Sequence, residues 1–110
     1  MYVDSAVRTL VKVSMPTDVF NDLVREGKVG PTLDRLTAVL EPEAVYFVAM
    51  DGVRTALIVT DLKEPADMVK VAEPFFLALE AEIEYYPAMS PDDLKKAAPH
   101  FERALREFGG

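Results

Sequence analysis

Glu80, Glu82 and Glu84 recur at every second residue, and Lys12, Tyr46, Thr55 and Tyr86 are the other side chains whose chemistry could converge on one site. Carboxylates at period two share one face of a strand, where they could hold a hard cation or supply a general base. On an edge strand the same charges also discourage pairing with a foreign strand. Glu84 stands apart, because it precedes Tyr85-Tyr86-Pro87 and would face Arg8 and Lys12 if its strand lies beside the first. It reads equally as half of an internal ion pair and as a ligand-binding carboxylate. Tyr46, Thr55 and Tyr86 would bring phenol and hydroxyl groups to the same place, although tyrosines on half-buried strands also serve packing.

The remaining candidates point to structure. His100 is the single histidine. A histidine can ligate haem or act as a base, but this one follows Pro99 among lysines and glutamates and reads as solvent-facing. Arg54 is expected to pair with Glu73 beside a proline kink. With no cysteine in the chain, disulfides, thiolate nucleophiles and thiolate metal ligands are excluded together. There is no Gly-rich phosphate loop, no Ser/His/Asp arrangement and no metal-ligand spacing. The sequence therefore assigns no catalytic residue, no metal and no cofactor. Its candidate ligand-binding set is Lys12, Tyr46, Thr55, Glu84 and Tyr86.

The elements that must position that set are legible from periodicity. Residues 6–15 alternate as a strand, with Val7, Thr9, Val11, Val13 and Met15 on one side. Met15-Pro16-Thr17-Asp18 ends it and opens a helix with Thr17 as the expected cap. Residues 17–40 form one broken helical arm, interrupted at Gly27 and resuming after Gly30-Pro31. Two β-prone runs, 43–50 and 53–62, flank Asp51-Gly52, the strongest short hairpin signal available. That turn sets Met50 against Val53, Val48 against Thr55 and Tyr46 against Leu57. Phe47, Ala49, Arg54, Ala56 and Ile58 then share the other face.

Pro65 opens a helix with the stripe Met68, Val71, Ala72, Phe75 and Leu79, kinked by Pro74. Residues 82–87 form a short fourth strand. Ser90-Pro91-Asp92-Asp93 starts a terminal helix that Pro99 breaks. The order is βαββαβ plus an extra C-terminal helix, an α+β, ferredoxin-like pattern with a four-stranded antiparallel sheet. A chain of 110 residues holds a single such domain, 1–110.

One sheet face is expected to lie under the helices through Val11, Val13, Phe47 and Ile58. The other carries Leu10, Lys12, Tyr46, Val48, Leu57, Val59, Glu84 and Tyr86, too apolar for water and too polar for a dry core. A second copy packed face to face would cover the apolar members and enclose the polar ones. The competing reading is a sheet face that is simply solvated.

Charge narrows the partners. The net charge of -7 resides in residues 41–90, where three basic side chains face ten acidic ones. Nucleic acid and anionic membrane surfaces are disfavoured. A neutral or cationic small molecule, or another protein, fits better. No apolar run reaches the roughly 20 residues of a membrane span. The opening Met1-Tyr2-Val3-Asp4-Ser5 lacks the layout of a secretory leader, so the cytoplasm is the expected compartment.

Pro42-Glu43-Ala44-Val45-Tyr46-Phe47, Asp51-Gly52-Val53-Arg54-Thr55 and Ala72-Glu73-Pro74-Phe75-Phe76-Leu77-Ala78-Leu79 resemble a family of short bacterial proteins of unknown function. Pro87-Ala88-Met89-Ser90-Pro91-Asp92-Asp93-Leu94 and Lys96-Ala97-Ala98-Pro99 fit the same pattern, so the resemblance spans nearly all of residues 7–109. It implies the dimeric α+β-barrel superfamily, which includes small monooxygenases, isomerases and lactonising enzymes, haem-degrading enzymes and ligand-sensing modules. Tryptophan is absent, and the lone histidine is badly placed, so the aromatic and histidine sets of the cofactor-free monooxygenases have no counterpart.

Three functions remain from this reading. One is a homodimer binding a small apolar or aromatic molecule in the cavity between sheet and partner. Another is a cofactor-independent isomerase or monooxygenase using Glu84 or a tyrosine for proton transfer. The weakest is an interaction module that works through the acidic middle segment.

Overall fold

Asp51 and Gly52 both adopt positive φ, 55° and 76°, the backbone that a tight hairpin between right-twisted strands requires. A computed structural model describes residues 6–110; the Met1–Ser5 stretch considered above for a leader lies outside the described residues. The hairpin joins β2 (Ala44–Met50) to β3 (Val53–Leu62), paired as Met50 with Val53, Val48 with Thr55 and Tyr46 with Leu57. This is the register that the two-residue loop dictates. β1 (Val7–Ser14) lies antiparallel between β3 and β4 (Glu82–Pro87), giving the sheet order β2-β3-β1-β4. The protein is thus a mixed α+β fold on a four-stranded antiparallel sheet, with two edge strands, β2 and β4.

The first helical arm is broken as expected. α1 (Thr17–Glu26) ends where Gly27 turns left-handed at φ 68° and its N–H reaches the carbonyls of Leu23 and Val24. Thr17 does not cap it: Pro16 occupies the cap position and no side-chain oxygen accepts there. With its ring in the cap, Pro16 delivers the chain in extended backbone, φ -56° and ψ 138°, and Thr17 becomes the first helical residue. α2 (Val29–Ala38) begins before Gly30-Pro31 rather than after it. Pro31 sits in its first turn, where a missing N–H leaves no bond unmade.

α3 (Asp67–Leu79) starts where the Asp67 carboxylate accepts the N–H groups of Lys63 and Glu64, which holds that carboxyl below its ordinary range. The helix runs through Pro74 and stops at Glu80, which is left-handed at φ 52°. Glu80 therefore belongs to a helix end and not to the carboxylate ladder of β4. α4 (Pro91–Lys96) carries the expected serine cap, with Ser90 and Asp93 each accepting the other's backbone N–H. The chain breaks at Ala97, and Pro99 sits in the first turn of α5 (Ala98–Phe108), so the C-terminal extension is two helices divided just before that proline.

The core follows from these placements. Val11 and Val13 of β1 and Ala56 and Ile58 of β3 meet Phe20, Leu36, Val71, Phe75 and Leu79 from the first three helices, all buried. Arg54 does not pair with Glu73. Its guanidinium donates to the side chain of Asn21 at 2.9 Å and lies 4.6 Å over the Phe20 ring, since the strand face that carries it meets α1. No buried side-chain nitrogen or oxygen among the described residues lacks a hydrogen-bond partner. Replacing Phe75, which is 1% exposed, by alanine is expected to cost about 3–5 kcal/mol. Chemical denaturation measures this as a lower midpoint with an unchanged slope.

Candidate functional site

Because Val11 and Val13 point into the core, Lys12 between them points out of the other side of the sheet. The pairings then align one row across all four strands: Tyr46, Leu57, Lys12 and Glu84. Flanking rows hold Val48, Thr55, Ser14 and Glu82 on one side, and Ala44, Val59, Leu10 and Tyr86 on the other. This open face is apolar toward β2 and β3 and charged toward β4.

Three of the five expected site residues come together. The Lys12 ammonium lies 3.4 Å from one Glu84 oxygen, and the Tyr86 hydroxyl donates to the other oxygen at 2.7 Å. That donation, followed by the Lys12 contact, lowers the Glu84 carboxyl below its ordinary range. The bond to Glu84 raises Lys12 and, likewise, raises the Tyr86 phenol. The Lys12 side chain is 19% exposed, whereas that of Glu84 is half exposed at 52%.

Tyr46 and Thr55 stand apart from this trio. Tyr46 is in the same row, separated from Lys12 by Leu57, and is largely exposed. Thr55 is buried, and its hydroxyl donates to the Val53 carbonyl of its own strand at 2.9 Å. Arg8 does not join Glu84. It holds Glu43 at 2.9 Å and Asp93 at 3.1 Å, tying β1 to the start of β2 and to the first turn of α4.

Asp51 is the member that sequence reasoning missed, having been assigned only a turn role. Its carboxylate lies 3.5 Å from the Lys12 ammonium. Lys12 is level with Leu57, about 13 Å along β3 from Val53 at ~3.3 Å per residue. The contact therefore draws on both extended side chains and ties the hairpin tip to β1. Beneath the tip is a hollow of about 400 Å³, lined by Lys12, Ser14, Met50, Asp51, Glu80, Glu82 and Glu84 among others. Its size suits a small ligand. Its one cation among several carboxylates gives it a negative potential. No group of three side chains suited to a metal ion occurs among the described residues. Another hollow, about 360 Å³ between the ends of α2 and β3 and the start of α3, is lined by charges that include Asp67. That carboxylate already closes the turn before α3. His100 lies on exposed α5 and lines neither hollow.

No family model, curated protein or solved structure matches this chain. The architecture to which the sequence resemblance pointed is present in its coarse form, a small α+β fold with a four-stranded antiparallel sheet. No described helix is long and apolar enough to cross a membrane.

Tyr86→Phe removes the strongest influence on Glu84, so the Glu84 carboxyl is expected to titrate at higher pH in the variant. Carbon-detected NMR of the side chain reads this directly. A carboxyl with a lowered folded-state pKa stabilises the fold above its unfolded pKa and loses that contribution as pH falls through the folded value. The variant is therefore expected to lose less stability than the parent across the acid range.

Proposed function

We propose that the chain is one half of a ferredoxin-like, dimeric α+β barrel that binds a small molecule between its open sheet face and that of a second copy. The observation that carries this reading is the cross-sheet row Tyr46–Leu57–Lys12–Glu84. One end is apolar and aromatic, the other a hydrogen-bonded set of Lys12, Glu84 and Tyr86. Tyr46, Val48 and Tyr86 are all exposed in the isolated chain, and covering side chains of that size contributes roughly 1.5–3 kcal/mol each. The element order, with α1 and α2 acting as one interrupted crossover, supports the ferredoxin-like reading.

The ligand that fits is an aromatic or apolar body with a neutral or cationic polar end. Its body would lie on Leu57, Val59 and Tyr46, and its polar end against Glu84, Glu82 and Asp51. An anionic ligand would meet carboxylates on most sides of the hollow. The catalytic alternative, proton transfer by Glu84 or a tyrosine, is supported by the Tyr86–Glu84 hydrogen bond. It is weakened by the direction in which these groups are tuned. A general base works best with a pKa near the working pH, and Glu84 is lowered away from it while Tyr86 is raised. Binding is the function this site supports best.

Light scattering is expected to give a dimer, and a monomer would refute the enclosed cavity. Benzylamine and benzoate are suitable probes, followed by amide and methyl shifts. Benzylamine is expected to perturb Leu10, Tyr46, Leu57 and Val59, with benzoate at least about 10-fold weaker. Glu84→Gln is expected to remove that preference. Shifts confined to the helix side of the sheet, or equal affinity for the two probes, would overturn the assignment.

A further inference from the structure

Helices cover this sheet unevenly. The first three helices pack Phe20, Leu36, Val71, Phe75 and Leu79 over β1 and β3, and Tyr85 of β4 donates its hydroxyl to the Met68 carbonyl of α3. The helix side of edge strand β2 is covered only in part, by the packing of Val45 against that core. There Val45 is half-buried and Phe47 is 54% exposed. Two apolar hollows, of about 500 and 410 Å³, meet at Leu33 and Phe47 to form a groove between α2 and β2.

α5 presents the converse, a helix with nothing to cover. Phe101, Leu105 and Phe108 fall at i, i+4 and i+7, on one face, and Phe108 is 84% exposed. Every residue from 98 to 110 is exposed, and α4 is the one element with which α5 shares an extended contact. An 11-residue helix is marginal in water without a packed face. The chain is correspondingly drawn out. Its radius of gyration is 17.8 Å, against about 13 Å for a compact domain of this length.

α5 cannot fill the groove of its own chain. It follows β4, and β4 and β2 are opposite edges of the sheet, about 14 Å apart at ~4.8 Å per strand spacing. The helices over β1 and β3 stand in the way. A second copy meets no such barrier. We infer that α5 of each chain lies in the α2–β2 groove of a second copy, so that two copies exchange their C-terminal helices. This rests on the homodimer proposed above and names the element that locks it.

Size and area agree on that occupant. α5 is about 16 Å long at ~1.5 Å per residue, and β2 is about 23 Å at ~3.3 Å per residue. Sheet against sheet covers a footprint of roughly 400 Å² per copy, four strands wide and about six paired positions long. Counted on both copies, that falls short of the roughly 1,200–2,000 Å² of a stable interface. Two seated helices, each about 16 Å by 10 Å, raise it into that range. Reciprocal exchange also closes the assembly at two copies, since each chain then offers one helix and one filled groove.

The absence of cysteine allows a direct test. Phe47→Cys and Leu105→Cys variants are mixed, allowed to exchange subunits and oxidised. A Phe47→Cys/Leu105→Cys disulfide between different chains is the expected product. Its absence, with the parent chain a dimer by light scattering, overturns the exchange and leaves the sheet-to-sheet dimer standing. A monomeric parent overturns both, and binding of that monomer to phosphatidylcholine vesicles would assign the stripe to lipid. Phe101→Ser/Leu105→Ser alters only exposed positions, so the circular dichroism of the sheet is expected to persist. The dimer dissociation constant is expected to rise about 100-fold or more, and an unchanged constant overturns the proposal.

Discussion

Val11 and Val13 have no exposed surface, and a strand allows them that only by turning the residue between them to the opposite side. Lys12 is therefore held on the open face by the burial of its two neighbours. β1 is an inner strand, hydrogen-bonded to both β3 and β4, so a one-residue slip would send both valines to solvent and Lys12 into the core. The direction of Glu84, Tyr86 and Leu57 follows from the same pairing. The candidate site thus depends on apolar burial at residues that do not belong to it.

Electrostatics then works on a geometry already set. The acidic excess of residues 41–90 is not scattered: Asp51, Glu80, Glu82 and Glu84 converge around the Lys12 end of the sheet. The Lys12 ammonium holds two of these carboxylates, while Tyr86 supports Glu84 from its other oxygen. At the other end of the same strand Arg8 holds Glu43 and Asp93. One strand thereby carries the two cations that tie the hairpin, β4 and the start of α4 together. These contacts are partly exposed, so their main effect is to orient groups rather than to stabilise the fold.

The helix cover of the sheet also thins toward β2, where Phe47 is 54% exposed. Besides the open sheet face, Phe47 on β2 and the stripe of α5 are apolar surfaces that the chain leaves exposed. Both are well-formed pieces of secondary structure, unlike the scattered apolar residues of any protein surface.

Local chemistry in the sequence determined much of this. The Asp51-Gly52 turn dictated the hairpin register. Valine alternation separated the two faces, and Ser90 with Pro91 and Asp93 marked the start of α4. The Lys12–Glu84 pair was legible because both residues lie in regular strands whose order followed from the element pattern. Arg54 was misassigned because it had several partners within reach and the sequence does not say which neighbour arrives, whereas Thr17 lost the cap position to Pro16. Arg54 met α1 rather than α3, and Arg8 met Glu43 and Asp93. Asp51 was hidden altogether, because its contact with Lys12 joins a turn to a strand several positions away, which strand pairing alone does not bring together. Periodicity tells which way a side chain points, and only the tertiary arrangement decides what it meets.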